Sequence, residues 1–275
     1  MANESERKRW NDEKWAAAWP SRERLTEAVS SYLVPAADPR SGQRVCDIGC
    51  GGGSLTITIA QAVAPGGEVV GYDISAPLLD LARQRADRAG VANVRFVEND
   101  VQSGGWDQPP FDLAVSQFGV MFFDEPTAAF AAIRRHLVPG SRFVFACWQG
   151  VERNPWHLGT AFRALLPPPR VPAPGKSPVG PFTFGDDEYV RELLEAAGYT
   201  TVRGTPHETT VRAPASAVVD RSVFGLMGIP PEREEEALAI AERHLDRFAV
   251  PTAGKDEGED IYDYPLAFTV YEATA

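Results

Sequence analysis

The sequence is short of cysteine, of basic residues and of long apolar segments, and each shortage excludes a class of protein. Its three cysteines form neither a CxxC pair nor a zinc spacing, so no metal site is predicted. An odd cysteine count, with no apolar stretch of signal-peptide length in the first residues, favours free thiols and a cytoplasmic location. The 27 basic residues stand against 38 acidic ones, and a net charge of −11 argues against a nucleic-acid partner. No segment has the apolar length that spans a bilayer.

The sequence does contain a regular alternation of strand-like and helix-like segments between about residues 44 and 148. Short apolar segments such as "RVCDI" (44–48) and "SRFVFACW" (141–148) are separated by helical patterns. One of those helices is predicted to begin at Ser75, a good N-cap residue, and to end at Gly90. Such alternation predicts parallel strands joined by helical crossovers, which is an α/β fold.

The length and the apolar content predict one large domain with insertions. A chain of 275 residues with 44% hydrophobic residues can bury a full core. We predict an N-terminal helical cap over residues 1–36 and a ligand-binding core over residues 37–150. The rest of the same domain, residues 151–275, would carry two insertions, about 151–185 and 214–262, and the last strands.

Four glycines crowd the turn after the first predicted strand, in "VCDIGCGGGS" (45–54). Four exceed what a tight turn needs, so something must approach the backbone closely there. In open parallel sheets the first strand-to-helix turn normally belongs to the ligand site. Two classes of ligand would fit this turn: dinucleotides and adenosyl sulfonium cofactors. The dinucleotide motif G-x-G-x-x-G is disfavoured, because Ser54 occupies the position of its third glycine.

The turn resembles the first motif of the class I S-adenosylmethionine-dependent methyltransferases, because a carboxylate, Asp47, precedes a G-x-G-x-G sequence. Asp73 closes the second predicted strand, where a carboxylate could accept hydrogen bonds from ribose hydroxyls. The segment "FDLAVSQFGVMFF" (111–123) is similar to the family's fourth motif. The resemblance covers about residues 40–150. It assigns these residues to the cofactor S-adenosylmethionine: Asp47, Gly49, Gly51, Asp73, Ile74, Asp100, Val101, Ser116 and Phe118.

Within that family the pattern is similar to the large bacterial group of ubiquinone and menaquinone biosynthesis methyltransferases and their natural-product relatives. The resemblance implies a Rossmann-like fold: a seven-stranded, mostly parallel sheet with an antiparallel last strand, helices on both faces and helical cap insertions. It implies the cofactor and leaves the methyl acceptor open, because a fold does not fix a substrate.

The aromatic and apolar content of the insertions favours a small organic acceptor, methylated on oxygen or carbon. A hydroxyl acceptor benefits from a general base, and His157, which follows the fifth strand, is the best candidate. Two alternatives stay open: a nicotinamide-dependent oxidoreductase, and a protein that binds the cofactor without transferring methyl.

Three tryptophans in the N-terminal segment, Trp10, Trp15 and Trp19, either fasten it to the core or form a lid over the cofactor. A homodimer is the expectation for the oligomeric state.

Overall fold

The computed structural model describes residues 4–103, 106, 108–166, 179–250, 255–256 and 259–275. Its strands are β1 (Arg44–Ile48), β2 (Glu68–Asp73), β3 (Val94–Glu98), β4 (Phe111–Gln117), β5 (Leu137–Trp148), β6 (Thr200–Pro214), β7 (Lys255–Asp256) and β8 (Glu259–Thr274). Its α-helices are α1 (Glu4–Trp10), α2 (Glu13–Thr26), α3 (Ser30–Ala37), α4 (Ser54–Val63), α5 (Ala76–Ala89), α6 (Pro126–Arg135), α7 (Leu158–Ala161), α8 (Asp187–Ala196) and α9 (Glu234–Leu245). Short 3-10 turns join several of them.

The strands form one mixed sheet. Over the described residues, seven of them lie side by side in the order β3-β2-β1-β4-β5-β8-β6, and the two-residue β7 pairs only with β8. The first five strands in this order pair in parallel. The last strand, β8, runs antiparallel to both β5 and β6. The predicted seven-stranded, mostly parallel sheet with an antiparallel last strand is confirmed, and the helices pack around it.

Local signals account for several helix ends. The Ser75 side chain accepts a hydrogen bond from the Leu78 backbone N–H at 3.3 Å, and a proline follows in the first turn of α5. The same helix ends at Gly90, whose φ of +65° is the left-handed conformation that glycine adopts most easily. Both predicted ends of α5 are therefore confirmed. The buried face of α5 packs with Phe96 of β3 in a separate small cluster.

The strand order reverses between β1 and β4, and this is where parallel sheets open a crevice. The loops that leave these two strands touch each other there. A methyl group added to Gly49 would lie 2.7 Å from the Gly119 Cα atom, so neither loop tolerates a side chain at the contact. The Ser116 hydroxyl donates a hydrogen bond of 2.7 Å to the Ile48 carbonyl and joins the two strands at the same point.

From the prolines between residues 154 and 181 the sequence predicts an irregular segment after β5 with one short helix around residues 156–166, and the structure has a shorter helix there. The described residues there contain the four-residue α7 and irregular turns, and residues 167–178, which include the triple proline, lie outside the described part. Asn154, fully buried, fixes the start of this segment to β8. Its side-chain amide donates to the Ala267 carbonyl at 2.9 Å and accepts from the Ala267 N–H at 3.0 Å. Within the part of the chain that is described, no helix has the length and apolar character needed to cross a membrane.

Candidate active site

One cavity of about 290 Å³ lies at the carboxyl ends of β1, β2 and β4. This volume is just below the range of about 300–1,000 Å³ for small-molecule sites. The loops after these strands form one wall, and α1 and α2 cover them. The opposite wall comes from residues 156–158, 181, 217–218 and 227. The cavity therefore collects residues from the beginning, the middle and the end of the chain.

The glycine turn on the first wall is held by Asp73. Gly49, Gly51 and Gly53 all adopt positive φ angles, of +68°, +51° and +81°. One carboxylate oxygen of Asp73 accepts from the Gly51 N–H at 2.8 Å, and the other accepts from the Ser75 N–H at 2.9 Å. Burial raises the pKa of Asp73, and these backbone N–H groups oppose the shift by stabilising the carboxylate. The acid at the end of β2 thus fixes the conformation of the loop after β1.

The Trp19 indole of α2 lies directly against the second and third glycines of the turn. A methyl group at Gly51 would lie 2.7 Å from the Trp19 Cζ2 atom, and one at Gly52 would lie 2.8 Å from its Nε1. Arg85 of α5 reinforces this contact, because it donates to the Gly52 carbonyl at 2.9 Å and pairs with Glu23 of α2 at 2.6 Å. A tryptophan from the N-terminal segment therefore leaves no room for a side chain at Gly51 or Gly52.

Asp47 offers an unused hydrogen-bond acceptor beside this turn. The residue is only 1% exposed, and its Oδ2 accepts from the Thr56 hydroxyl at 2.6 Å. Its Oδ1 is buried with no hydrogen-bond partner among the described residues. Burial raises the pKa of Asp47 to about 7, the Thr56 hydrogen bond opposes this shift, and the charge of Asp73 adds to it. A ligand that donates a hydrogen bond or carries a positive charge would satisfy this oxygen.

Of the predicted cofactor residues, only Ser116 does not line the cavity. It is fully buried beneath the cavity, where its hydroxyl is engaged with a backbone carbonyl. Phe118 lines the cavity with a positive φ of +63° and stacks on Trp148, with ring centroids 3.9 Å apart. Asp100 accepts hydrogen bonds from Gln102, and the carbonyl of Ile74 accepts from Asn11 at 2.8 Å. Val101 and the two glycines 49 and 51 also line the cavity.

His157 lies on the opposite wall as an uncharged imidazole. Its Nδ1 accepts a hydrogen bond from the Gly159 N–H at 3.2 Å, so the ring hydrogen is on Nε2. Burial lowers the pKa of His157 to about 4, and the positive charges of Arg22, Arg9 and His244 lower it further in the same direction. In this state the ring nitrogen that is not used by Gly159 is a hydrogen-bond donor.

Aromatic rings form the cover of the cavity. Trp10 packs against Trp15, Trp19 and Phe122 with centroid distances of 5.4, 6.1 and 5.3 Å. Hydrogen bonds tie both ends of this cover to the core: the Ser75 hydroxyl donates to the Trp10 carbonyl at 2.6 Å, and Gln117 donates to the Thr26 carbonyl at 3.1 Å.

Arg9 and Arg22 also line the cavity, and the sequence reasoning missed both. A signal for Arg22 exists in the sequence, because it follows Trp15 by seven positions and shares its helical face with Trp15 and Ala18. A cation on an otherwise apolar helical face indicates a buried charge. No such local signal marks Arg9, which belongs to another helix.

Comparison with known proteins gives a consistent set of relatives. A family model described as a methyltransferase domain matches residues 39–164. The nocamycin O-methyltransferase of Saccharothrix syringae is 28% identical over 200 residues, which cover 68% of this chain and 70% of that protein. The ubiquinone/menaquinone biosynthesis C-methyltransferase UbiE of Idiomarina loihiensis is 33% identical over 180 residues, covering 62% of this chain and 72% of that protein. Three other curated relatives are matched over about half of their own length or less.

Among solved structures, the YcgJ protein from Bacillus subtilis aligns with a TM-score of 0.58 over 90% of this chain and 98% of its own. Its sequence identity is 17%, so this likeness concerns the fold alone.

Proposed function

Because the chain belongs to the class I S-adenosylmethionine-dependent methyltransferases, we propose that it methylates an oxygen or carbon atom of a small organic acceptor. The enzyme class and the cofactor S-adenosylmethionine follow from the family. One observation supports the rest: a single cavity joins the Asp47 and Asp73 wall to a wall of apolar and aromatic residues. A cofactor and an acceptor could meet between them.

The residues of the first wall fit the cofactor. The partnerless Oδ1 of Asp47 would accept a hydrogen bond from the amino group of the cofactor, and Asp73 would accept from its ribose hydroxyls. Ile74, Asp100, Val101 and Phe118 would border its adenosine part. When bound, the cofactor supplies a methyl group on a positively charged sulfur, which an electron-rich acceptor atom can attack.

The protein's own contribution is positioning and the exclusion of water. The tryptophan cover closes the cavity from the side of α1 and α2, and the opposite wall would orient the acceptor toward the methyl group. No side-chain nucleophile is needed. Cys50, the cysteine nearest the cofactor wall, is buried, and burial raises the pKa of its thiol far above the ordinary value.

His157 is proposed as the residue that contacts the reacting oxygen of the acceptor. Its proposed role as a general base stays a prediction. An imidazole with a pKa of about 4 is uncharged at neutral pH, but it has a weak affinity for a proton. Its Nε2–H can instead donate a hydrogen bond to the acceptor and hold it in line with the methyl group.

The side of the cavity that would hold the acceptor is lined by apolar and aromatic residues, which favours a mid-sized apolar molecule. Trp148, Trp156, Leu158, Val218 and Met227 all line it. Two relatives are named for methyl transfer to small organic molecules, one to oxygen and one to carbon. Oxygen and carbon acceptors therefore both belong to the proposal.

Calorimetric titration with S-adenosylmethionine is the first test, with an Asp73→Ala variant as the comparison. We expect wild-type binding and a loss of affinity of tenfold or more in the variant, because two backbone N–H groups and the ribose lose their acceptor.

Incubation of a cell extract with methyl-labelled cofactor then identifies the acceptor class. Label found only in protein or RNA would refute a small-molecule acceptor, and no binding of the cofactor would refute the proposal as a whole.

The homodimer and the cytoplasmic location stay predictions. Size-exclusion chromatography with light scattering measures the first, and cell fractionation measures the second.

A further inference from the structure

Two arginines from different helices converge on one tryptophan ring inside the cavity. The Cζ atom of Arg9 lies 5.1 Å from the centroid of the Trp15 ring, and that of Arg22 lies 4.5 Å from it. Trp15 itself is 4% exposed and packs against Val223. Two positive charges are therefore gathered around a buried indole.

Three buried nitrogen atoms of these two guanidinium groups have no hydrogen-bond acceptor among the described residues. Nε and Nη2 of Arg22 and Nε of Arg9 are buried without a hydrogen-bond partner in the described part of the chain. Arg9 approaches Glu6 only at 3.9 Å, beyond hydrogen-bond distance. Asp220 is the acid whose charge acts on Arg22, but its Oδ1 accepts instead from the N–H and the hydroxyl of Ser222.

Burial lowers the pKa of Arg22 to about 10, so it still carries its charge at neutral pH. A buried cation without a hydrogen-bonded anion is costly, and the partly buried Arg9 places a second positive charge beside Arg22. Because both side chains line the cavity, a bound ligand could supply an anionic group to them.

The charges of the two arginines act on the acceptor side of the cavity. Arg22 and Arg9 both act on the imidazole of His157, whereas the charge that acts on Asp47 is that of Asp73. Outside the two helices, the residues that share a cluster with Trp15 are Val223, Leu226 and Met227, and Met227 lines the wall opposite the glycine turn. The anion would therefore come with the acceptor and lie away from the wall assigned to the cofactor.

We propose that the methyl acceptor carries a carboxylate, which Arg9 and Arg22 bind while its apolar body packs on Trp15. This inference rests on the proposed function and adds the charge of the substrate. The planar fork of a guanidinium matches the two oxygens of a carboxylate, and such charge-assisted pairs are the strong ones. Because the rest of this wall is mostly apolar, the carboxylate would be the group that fixes the orientation of the acceptor.

The test compares binding of 2-naphthoate with that of its neutral amide, 2-naphthamide, measured by quenching of tryptophan fluorescence. We expect the wild type to prefer naphthoate by about tenfold, the effect of one charge-assisted hydrogen bond or more. Arg22→Gln and Arg9→Gln should each reduce the preference to about threefold or less. Arg24→Gln is the matched control, because it removes the same charge from an exposed position of the same helix and should keep the preference.

Equal binding of the two probes by the wild type, or no binding of naphthoate at millimolar concentration, would overturn the proposal. It would also be overturned if Arg22→Gln kept the preference but lost affinity for S-adenosylmethionine, because the arginines would then serve the cofactor. The affinity of the wild type for S-adenosylmethionine is titrated separately. If the wild type prefers naphthoate but does not bind S-adenosylmethionine, the proposed function fails and the carboxylate site does not.

Thermal unfolding separates a ligand role from a structural one. Removing a buried cation that has no partner should leave the midpoint of Arg22→Met unchanged or higher. A fall of the midpoint would assign Arg22 to the stability of the fold and count against the proposal.

Discussion

The contact between Trp19 and the glycine turn can be tested with one methyl group. Gly51 and Gly90 both have left-handed backbones, with φ of +51° and +65°. An added methyl group meets nothing within 4 Å at Gly90, but at Gly51 it would lie 2.7 Å from Trp19. Gly51→Ala and Gly90→Ala therefore share the backbone cost and differ in the steric one.

The expected free energies follow from this difference. A left-handed alanine costs about 1–2 kcal/mol, which both variants should lose from their free energy of unfolding. Overpacking against the Trp19 ring costs Gly51→Ala about 1–3 kcal/mol more. Urea unfolding of the two variants and the wild type measures both quantities.

The same variant should also weaken cofactor binding, because a displaced Trp19 uncovers the turn. A loss of about 1–3 kcal/mol corresponds to a decrease in affinity of about 5- to 150-fold in calorimetry, whereas Gly90→Ala should bind as the wild type does. The additional change Trp19→Phe should restore part of the stability of Gly51→Ala, since a smaller ring leaves room for the methyl group. Equal losses of stability in the two alanine variants would refute the contact as the reason for glycine at this position.

The remaining predictions concern pH and fluorescence. Because burial raises the pKa of Asp47 from 3.8 to about 7, the folded chain keeps a proton that the unfolded chain releases, and this residue's contribution to stability is lost as pH rises from about 4 through 7. The unfolding temperature of Asp47→Asn, measured across this pH range, should lack the decrease that Asp47 causes in the wild type. The pKa of His157 falls from 6.5 to about 4, so its contribution is present above pH 6.5 and is lost as pH falls toward 4; His157→Gln should remove this acid dependence. S-adenosylmethionine should quench the tryptophan fluorescence, and Trp19→Phe should reduce the amplitude; a full amplitude in the variant would exclude Trp19 as the reporter.

Much of the sheet could be predicted because its signals are local. Alternating apolar segments, the cap at Ser75 and the stop at Gly90 are all read within a few residues, and the structure has the elements there. The glycine turn was also recognisable. The groups that pack against the turn could not be predicted. Trp19 and Gly119 are distant from it in sequence and reach it only when the chain has folded.

The same limit applies within the site. A strand pattern cannot tell whether Ser116 faces a cavity or another strand, and the register of β1 and β4 decides that its hydroxyl meets a carbonyl. The convergence of Arg9 and Arg22 depends on how α1 packs against the Trp15 face of α2, which no local pattern encodes. The proline-rich segment after Leu166 carried the least periodic information, and the predicted helix before it shortens to α7.

The hydrogen bonds of Asn154 have a consequence for changing the specificity of the enzyme. The segment that follows β5 is held on β8 at its start by Asn154. At its other end Asp186 caps α8 by accepting from the N–H groups of Glu188 and Tyr189. These hydrogen bonds lie outside the intervening stretch, and within it the Trp156 indole N–H also donates to Asn154 Oδ1 at 3.2 Å. We therefore expect that the stretch beyond Trp156 can be exchanged between related enzymes to change the acceptor, because the bonds to β8 and at the start of α8 stay in place.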